Sequence, residues 1–144
     1  MTECTTIAPA STPAFPLDQW YVAGFAWELQ DAPLARTLLG RPVVLFRTPD
    51  GSVAALEDRC CHRHAPLSVG RREGDCVRCG YHGLKFDRMG QCVEAPGIEI
   101  IPAKAKVKRY PLVLQQPKLL AFIVDNFRLM AMGKNRGNNS SFTV

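Results

Sequence analysis

Four of the six cysteines and all three histidines of this 144-residue chain fall between residues 60 and 82. We expect the chain to stay in a reducing, cytoplasmic environment, because its N-terminus shows neither a basic segment followed by an apolar run nor a twin arginine. Clustered cysteines in such an environment favour metal or redox chemistry over a disulfide framework. This concentration of soft ligands therefore dominates the interpretation of the sequence.

Spacing alone permits two sets of ligands. In one, Cys60-x-His62 is followed sixteen residues later by Cys79-x2-His82. In the other, Cys61-x2-His64 pairs with the same second motif, or Cys76 joins Cys79, as in a structural zinc site. In either case two short segments each offer a thiolate and an imidazole.

The charge of the chain is unevenly distributed. The net charge is +5, and residues 101–144 hold eight of the 18 basic residues but one of the 13 acidic residues. A nucleic-acid platform would interleave this charge with exposed aromatic residues or a recognition motif, and we find neither, so we interpret the segment as a solvated basic tail. The longest apolar run, residues 119–124, is far shorter than the roughly 20 residues of a membrane span. We expect neither a nucleic-acid nor a membrane partner.

The pattern of short apolar runs and turns predicts a small antiparallel all-β domain. Residues 43–46 and 53–56 flank Pro49-Asp50-Gly51 as a hairpin, and residues 84–86 and 91–93 flank a second turn. Further strands are predicted at residues 20–23, 107–114 and 119–124. We expect a loose leader over residues 1–16, the domain over 17–114 with its cluster-binding part at about 58–96, and a divergent, partly disordered tail over 115–144.

The first of the two ligand sets resembles the Rieske [2Fe–2S] motif. Flanking residues resemble the N-terminal domain of ring-hydroxylating and O-demethylating oxygenases, and Tyr81-His82-Gly83-Leu84 resembles the oxygenase component of the vanillate O-demethylase type. The likeness runs from about residue 19 to about residue 111; its flanking elements are Arg63, Ala65-Pro66-Leu67-Ser68 and Phe86-Asp87.

The resemblance implies a Rieske fold, a base β domain with an inserted subdomain of two ligand loops. It implies a [2Fe–2S] cluster in which Cys60 and Cys79 hold one iron and His62 and His82 hold the other. Histidine ligation raises the reduction potential, and each imidazole can lose a proton from its second nitrogen. The positions where respiratory Rieske proteins carry a loop-bridging disulfide are Ala65 and Tyr81 here, so we expect a potential near the lower end of the range of about −150 to +300 mV.

The neighbouring residues receive simpler interpretations. Cys61 is interpreted as a filler residue, His64 as a surface or supporting residue, and Cys76 and Cys92 as buried thiols. Trp20, Tyr21 and Trp27 are assigned to the β core.

The implied function is one-electron transfer within the terminal component of an aromatic oxygenase. We expect a flavin or iron–sulfur reductase as donor and a catalytic oxygenase domain or subunit as acceptor, approached through His82. The chain has too few histidines for a mononuclear iron site, so we expect electron transfer alone, and we interpret the sequence as a truncated or frame-shifted form of a longer oxygenase. The alternatives are a free-standing Rieske ferredoxin and a structural zinc module that binds a partner.

Overall fold

The computed structural model describes residues 18–123, which form eleven short strands and one 3₁₀ turn. The elements in chain order are β1 Gln19–Phe25, the 3₁₀ turn Ala26–Glu28, β2 Leu34–Leu38, β3 Arg41–Arg47, β4 Val53–Glu57, β5 Arg71–Glu73, β6 Cys76–Arg78, β7 Lys85–Phe86, β8 Cys92–Glu94, β9 Arg109–Tyr110, β10 Leu112–Gln115 and β11 Lys118–Ile123. The expected leader and most of the expected tail lie outside the described residues, so the domain limits stay a prediction.

The strands form three antiparallel sheets, and this confirms the predicted all-β class. Their orders are β1-β11-β10, β2-β3-β4-β9 and β5-β6-β7-β8. Both predicted hairpins are present, β3 with β4 and β7 with β8, the latter with an irregular register. The run predicted near the C-terminus forms β11, which pairs with β1 along its length.

The hairpin β3–β4 lies between two hydrophobic clusters and contributes to both. Val44 and Phe46 of β3 pack into the cluster beneath the cysteine–histidine segment, whereas Val43 and Leu45 pack into the cluster beneath the β1-β11-β10 sheet. Successive side chains of a strand point to opposite faces, so a strand covered on both sides reads as a continuous apolar run. This hairpin therefore packs directly beneath the segment that carries the cysteines and histidines.

Two expectations need correction, and one strand was not expected. The predicted strand over residues 107–114 is two strands, β9 and β10, which belong to different sheets on either side of Pro111; proline has no N–H to continue a ladder. Trp20 and Trp27 are not core residues, since they are 47% and 62% exposed, whereas Tyr21 packs against the cluster beneath the β1-β11-β10 sheet. Strand β2 was not predicted, because Arg36 interrupts its alternation of apolar side chains. It is an edge strand that pairs only with β3.

Over the described part of the chain, we find no helix with the length and apolar character of a membrane span.

Candidate metal centre

Two loops carry the cysteine–histidine motifs. The first loop, residues 58–70, connects β4 to β5, and the second loop, residues 79–84, connects β6 to β7. The strands that carry them belong to neighbouring sheets, which share the hydrophobic cluster containing Cys60 and Cys79. Tertiary packing therefore brings together two motifs that are separated by sixteen residues in the sequence.

The two loops are closed by the same hydrogen-bond pattern. The backbone N–H of Cys60 donates to the carbonyl of Ala65 at 2.9 Å, and that of Cys79 donates to the carbonyl of Leu84 at 2.8 Å. In return, the carbonyls of Cys60 and Cys79 accept from the N–H groups of His64 and Gly83, each four residues further on. Cys60 and Cys79 therefore occupy equivalent positions in the two loops.

The equivalence extends to backbone conformation. His64 and Gly83, the fourth residue after each of these cysteines, both adopt the left-handed region, with φ of 57° and 77°. Glycine takes this conformation without cost, whereas histidine takes it with some strain. The backbone of His64 therefore closes the first loop, as the backbone of Gly83 closes the second.

The four candidate ligands are arranged as an inner pair and an outer pair. The side chains of Cys60 and Cys79 are each 2% exposed and lie within hydrogen-bonding reach of one another. Burial is the main cause that raises the pKa of the Cys60 thiol to about 11. The imidazoles of His62 and His82 are exposed, with ring centres 4.6 Å apart and planes at 68°. The thiols therefore face the core and the imidazoles face solvent.

Close backbone contact holds the two loops side by side. A Cβ on Gly70 would lie 1.9 Å from the carbonyl oxygen of Arg78, and a Cβ on Gly80 would lie 3.3 Å from that of Val69. Only a residue without a side chain allows the first approach. Gly70 therefore sets the separation between the end of the first loop and the strand that leads into the second.

A buried carboxylate closes the base of the first loop. Asp58 is 6% exposed and accepts hydrogen bonds from the backbone N–H of Ser68 at 2.7 Å and from its hydroxyl at 2.6 Å. A hydrogen bond to a charged group is stronger than one between neutral groups. Asp58 thereby ties the two ends of the loop that contains Cys60 and His62.

An arginine supports the second loop. Arg78 donates to the carbonyl of Gly83 at 2.7 Å and forms ion pairs with Glu73 and Glu94. The carbonyl follows His82 directly in the chain, so the guanidinium fixes the loop next to the imidazole. The sequence pattern indicated neither Asp58 nor Arg78, because a charged residue beside a motif gives no sign of which distant carbonyl or hydroxyl it will contact.

The remaining candidates are placed as follows. Cys76 and Cys92 are buried, as predicted, and Cys61 is exposed, so it is not a filler residue. The ring of Tyr81 lies 3.9 Å from that of His82. Side chains of consecutive residues diverge here, since Cys60 points inward and Cys61 outward.

The donor set consists of two thiols and two imidazoles. Within residues 18–123, no three His, Cys, Asp or Glu side chains converge as ligands of one metal ion. Two separate pairs of donors, one of sulfur and one of nitrogen, fit a centre with two iron ions, each of which takes two protein ligands.

Known proteins match most of the described part of the chain. The model of the Rieske [2Fe-2S] domain family matches residues 19–111. The chain is 59% identical over 95 residues to the iron-sulfur subunit of the toluene-4-sulfonate monooxygenase system of Comamonas testosteroni, covering 65% of this chain and 27% of that protein. It is 40% identical over 109 residues to the vanillate O-demethylase oxygenase subunit of Pseudomonas sp. strain HR199, covering 72% of this chain and 30% of that protein.

A solved structure shows the same fold. The crystal structure of dicamba monooxygenase superimposes with a TM-score of 0.72 at 44% identity, covering 75% of this chain and 35% of that one. The chain thus spans about a third or less of the length of these relatives. It belongs to the Rieske [2Fe-2S] domain family, and its cofactor is a Rieske-type [2Fe–2S] cluster.

Proposed function

We propose that this domain transfers single electrons, with Cys60 and Cys79 as ligands of one iron and His62 and His82 as ligands of the other. The observation that carries the proposal is the equivalence of the two loops. Cys60 and Cys79 are closed into the same hydrogen-bonded turn, with their thiols side by side and the two imidazoles together further out. The register that uses Cys61 would place an exposed thiol opposite a buried one.

The two thiols and the two imidazoles contribute differently to electron transfer. The cluster, when bound, accepts and donates one electron at a time. The core shields the two thiols from water, while the two imidazoles are exposed to solvent. The exposed edge of His62 and His82 is therefore the surface that an acceptor can approach.

The wider role is proposed from the relatives. Two of them are named as the iron-sulfur subunit of a monooxygenase system and as an oxygenase subunit. We infer that this domain serves the terminal oxygenase component of such a system, which acts on an aromatic substrate. It takes electrons from a reductase that oxidises a nicotinamide cofactor and passes them to a catalytic domain or subunit.

Metal analysis and spectroscopy of the purified full chain test the ligand assignment. We expect two irons and two acid-labile sulfides per chain, and a Rieske-type EPR signal after reduction. Cys60→Ser is expected to abolish the signal, whereas the adjacent Cys61→Ser leaves it unchanged. His82→Cys is expected to lose the cluster or to lower its reduction potential. His64→Ala is expected to retain the cluster with an unchanged reduction potential. One zinc per chain without sulfide, or loss of the signal in the Cys61 variant alone, would refute the assignment.

The wider role needs a separate test. The full chain is mixed with the reductase component of a related oxygenase system and with NADH, and bleaching of the cluster is followed in the visible range. Reduction that depends on the reductase supports the role as an oxygenase-side electron carrier. Failure of the reductase to reduce a chain that dithionite reduces would contradict it.

A further inference from the structure

Two adjoining clefts beside the first loop form a basic surface. One has a volume of about 390 Å³ and is lined by Arg41, Arg59 and Lys108; the other, of about 280 Å³, is lined by Arg59 and Lys106. Glu57 lines both clefts and is the acidic residue among their lining groups. The basic surface, defined as Arg41, Arg59, Lys106 and Lys108, thus sets four cations against one carboxylate.

The lysines of this surface are held by backbone contacts. The N–H of Glu57 donates to the carbonyl of Lys108 at 2.7 Å, and the N–H of Val107 donates to the carbonyl of Gly90 at 2.8 Å. Val107 is buried while Lys106 is exposed, and the ammonium of Lys108 lies 5.2 Å from the ring centre of Tyr110. This part of the basic C-terminal third is therefore a shaped surface of the domain and not a solvated tail.

Two of the four cations of the surface are not neutralised by an ion pair within the described residues. Neither Arg59 nor Lys106 forms an ion pair with any residue of the described range 18–123, whereas Arg71, Arg72 and Arg78 each have an acidic partner. Concave surfaces lined by charges of one sign concentrate the electric field and attract oppositely charged partners. The surface therefore favours an acidic partner over a neutral one.

The position of the surface indicates what that partner does. Cys61 and His64 line the smaller cleft, so a protein bound there contacts the first loop one residue from Cys60. Nucleic acid is less favoured, because Tyr110, the aromatic residue of these clefts, is 2% exposed and offers no stacking face.

We propose that the basic surface docks the acidic face of the protein that donates electrons to this domain, an inference that rests on the proposed function. The relatives are parts of multi-component systems, so a separate donor protein is required. In each transfer the donor is oxidised by one electron and the domain is reduced by one, and no bond forms or breaks. The donor then lies against the first loop, beside Cys61 and His64.

Charge reversal tests the docking surface. A reduced plant-type ferredoxin, a small acidic one-electron donor, is mixed with the loaded full chain in a stopped-flow instrument, and the second-order rate of reduction is measured from about 10 to 500 mM salt. We expect Arg59→Glu and Lys106→Glu each to lower the low-salt rate about 3- to 10-fold, and the double variant more. Lys118→Glu, the same change on an exposed lysine of β11, is the matched control and is expected to have little effect.

Two further measurements separate the explanations. Reduction by methyl viologen radical, which needs no docking, is expected to be equal in all variants, and iron and sulfide contents are measured on the same samples. A chain without the cluster refutes the proposed function. A loaded chain whose rate with ferredoxin is independent of salt, or falls equally in the Lys118 variant, refutes the docking surface. Binding of duplex DNA or anionic vesicles that is lost in Lys106→Glu, with an unchanged ferredoxin rate, would also overturn it.

Discussion

Replacement of Gly70 by alanine is expected to damage both the stability of the domain and the geometry of its centre. The new Cβ would lie 1.9 Å from the carbonyl oxygen of Arg78, and Cβ atoms in proteins essentially never approach closer than 3.0 Å. The first loop and β6 must therefore separate by about 1.1 Å, which disturbs the packing around this half-buried contact. Such overpacking costs about 1–3 kcal/mol.

The strand pairing next to this contact adds to the cost. Gly70 directly precedes Arg71, which pairs with Arg78 at the end of the β5–β6 hairpin. A strained or broken hydrogen bond there costs about 0.5–1.5 kcal/mol more. The total of about 2–4 kcal/mol corresponds to a fall in Tm of about 10–25 °C for a domain of this size.

Matched glycine variants distinguish the steric contact of the new Cβ from an effect of backbone conformation. Gly74 lies in the turn of the same hairpin with φ of 65° and open space around its Cβ position, so Gly74→Ala is expected to cost about 1 kcal/mol. Gly80→Ala, with a 3.3 Å contact to the Val69 carbonyl oxygen, is expected to be milder than Gly70→Ala. Urea unfolding gives the free energies, and iron content per folded chain reports the geometry. A Gly70→Ala domain within about 0.5 kcal/mol of wild type would refute the argument.

Three other predictions follow from named contacts. Asp58→Ala leaves the two hydrogen-bond donors of Ser68 without their acceptor and is expected to lower the free energy of unfolding by about 2–4 kcal/mol, with Asp58→Asn in between; equal urea midpoints would contradict this. Hydrogen bonds from Ser52 and then Thr48 lower the pKa of Asp50 from 3.8 to about 2, so its contribution to stability is complete above pH 3.8 and is lost as pH falls towards 2. Carboxyl NMR titration is expected to show this midpoint, and a midpoint near 3.8 would refute it. Burial and then Asp75 raise the pKa of the Cys76 thiol to about 11, so about one thiol in a thousand is ionised at pH 8; iodoacetamide with peptide mass analysis is expected to label Cys76 only after unfolding.

Local patterns predicted both hairpins. The run around Val43 and Phe46 was identifiable as a strand because β-branched and aromatic residues precede a Pro-Asp-Gly turn. The same logic failed at Trp20, since a large aromatic residue on a strand is equally compatible with the outer face of a sheet. Which face is covered depends on what packs against it, and the sequence does not state that.

The cysteine–histidine spacing determined the class of chemistry, because ligand types and their intervals are properties of the chain itself. The tertiary structure alone revealed that Cys60 and Cys79 occupy equivalent turns, since this equivalence rests on hydrogen bonds and packing between segments from different sheets. It also showed that Arg59 and Lys106, which are 47 residues apart in the sequence, line the same cleft. Side-chain identity is encoded locally, whereas the distances that turn side chains into a site arise from contacts between residues remote in sequence.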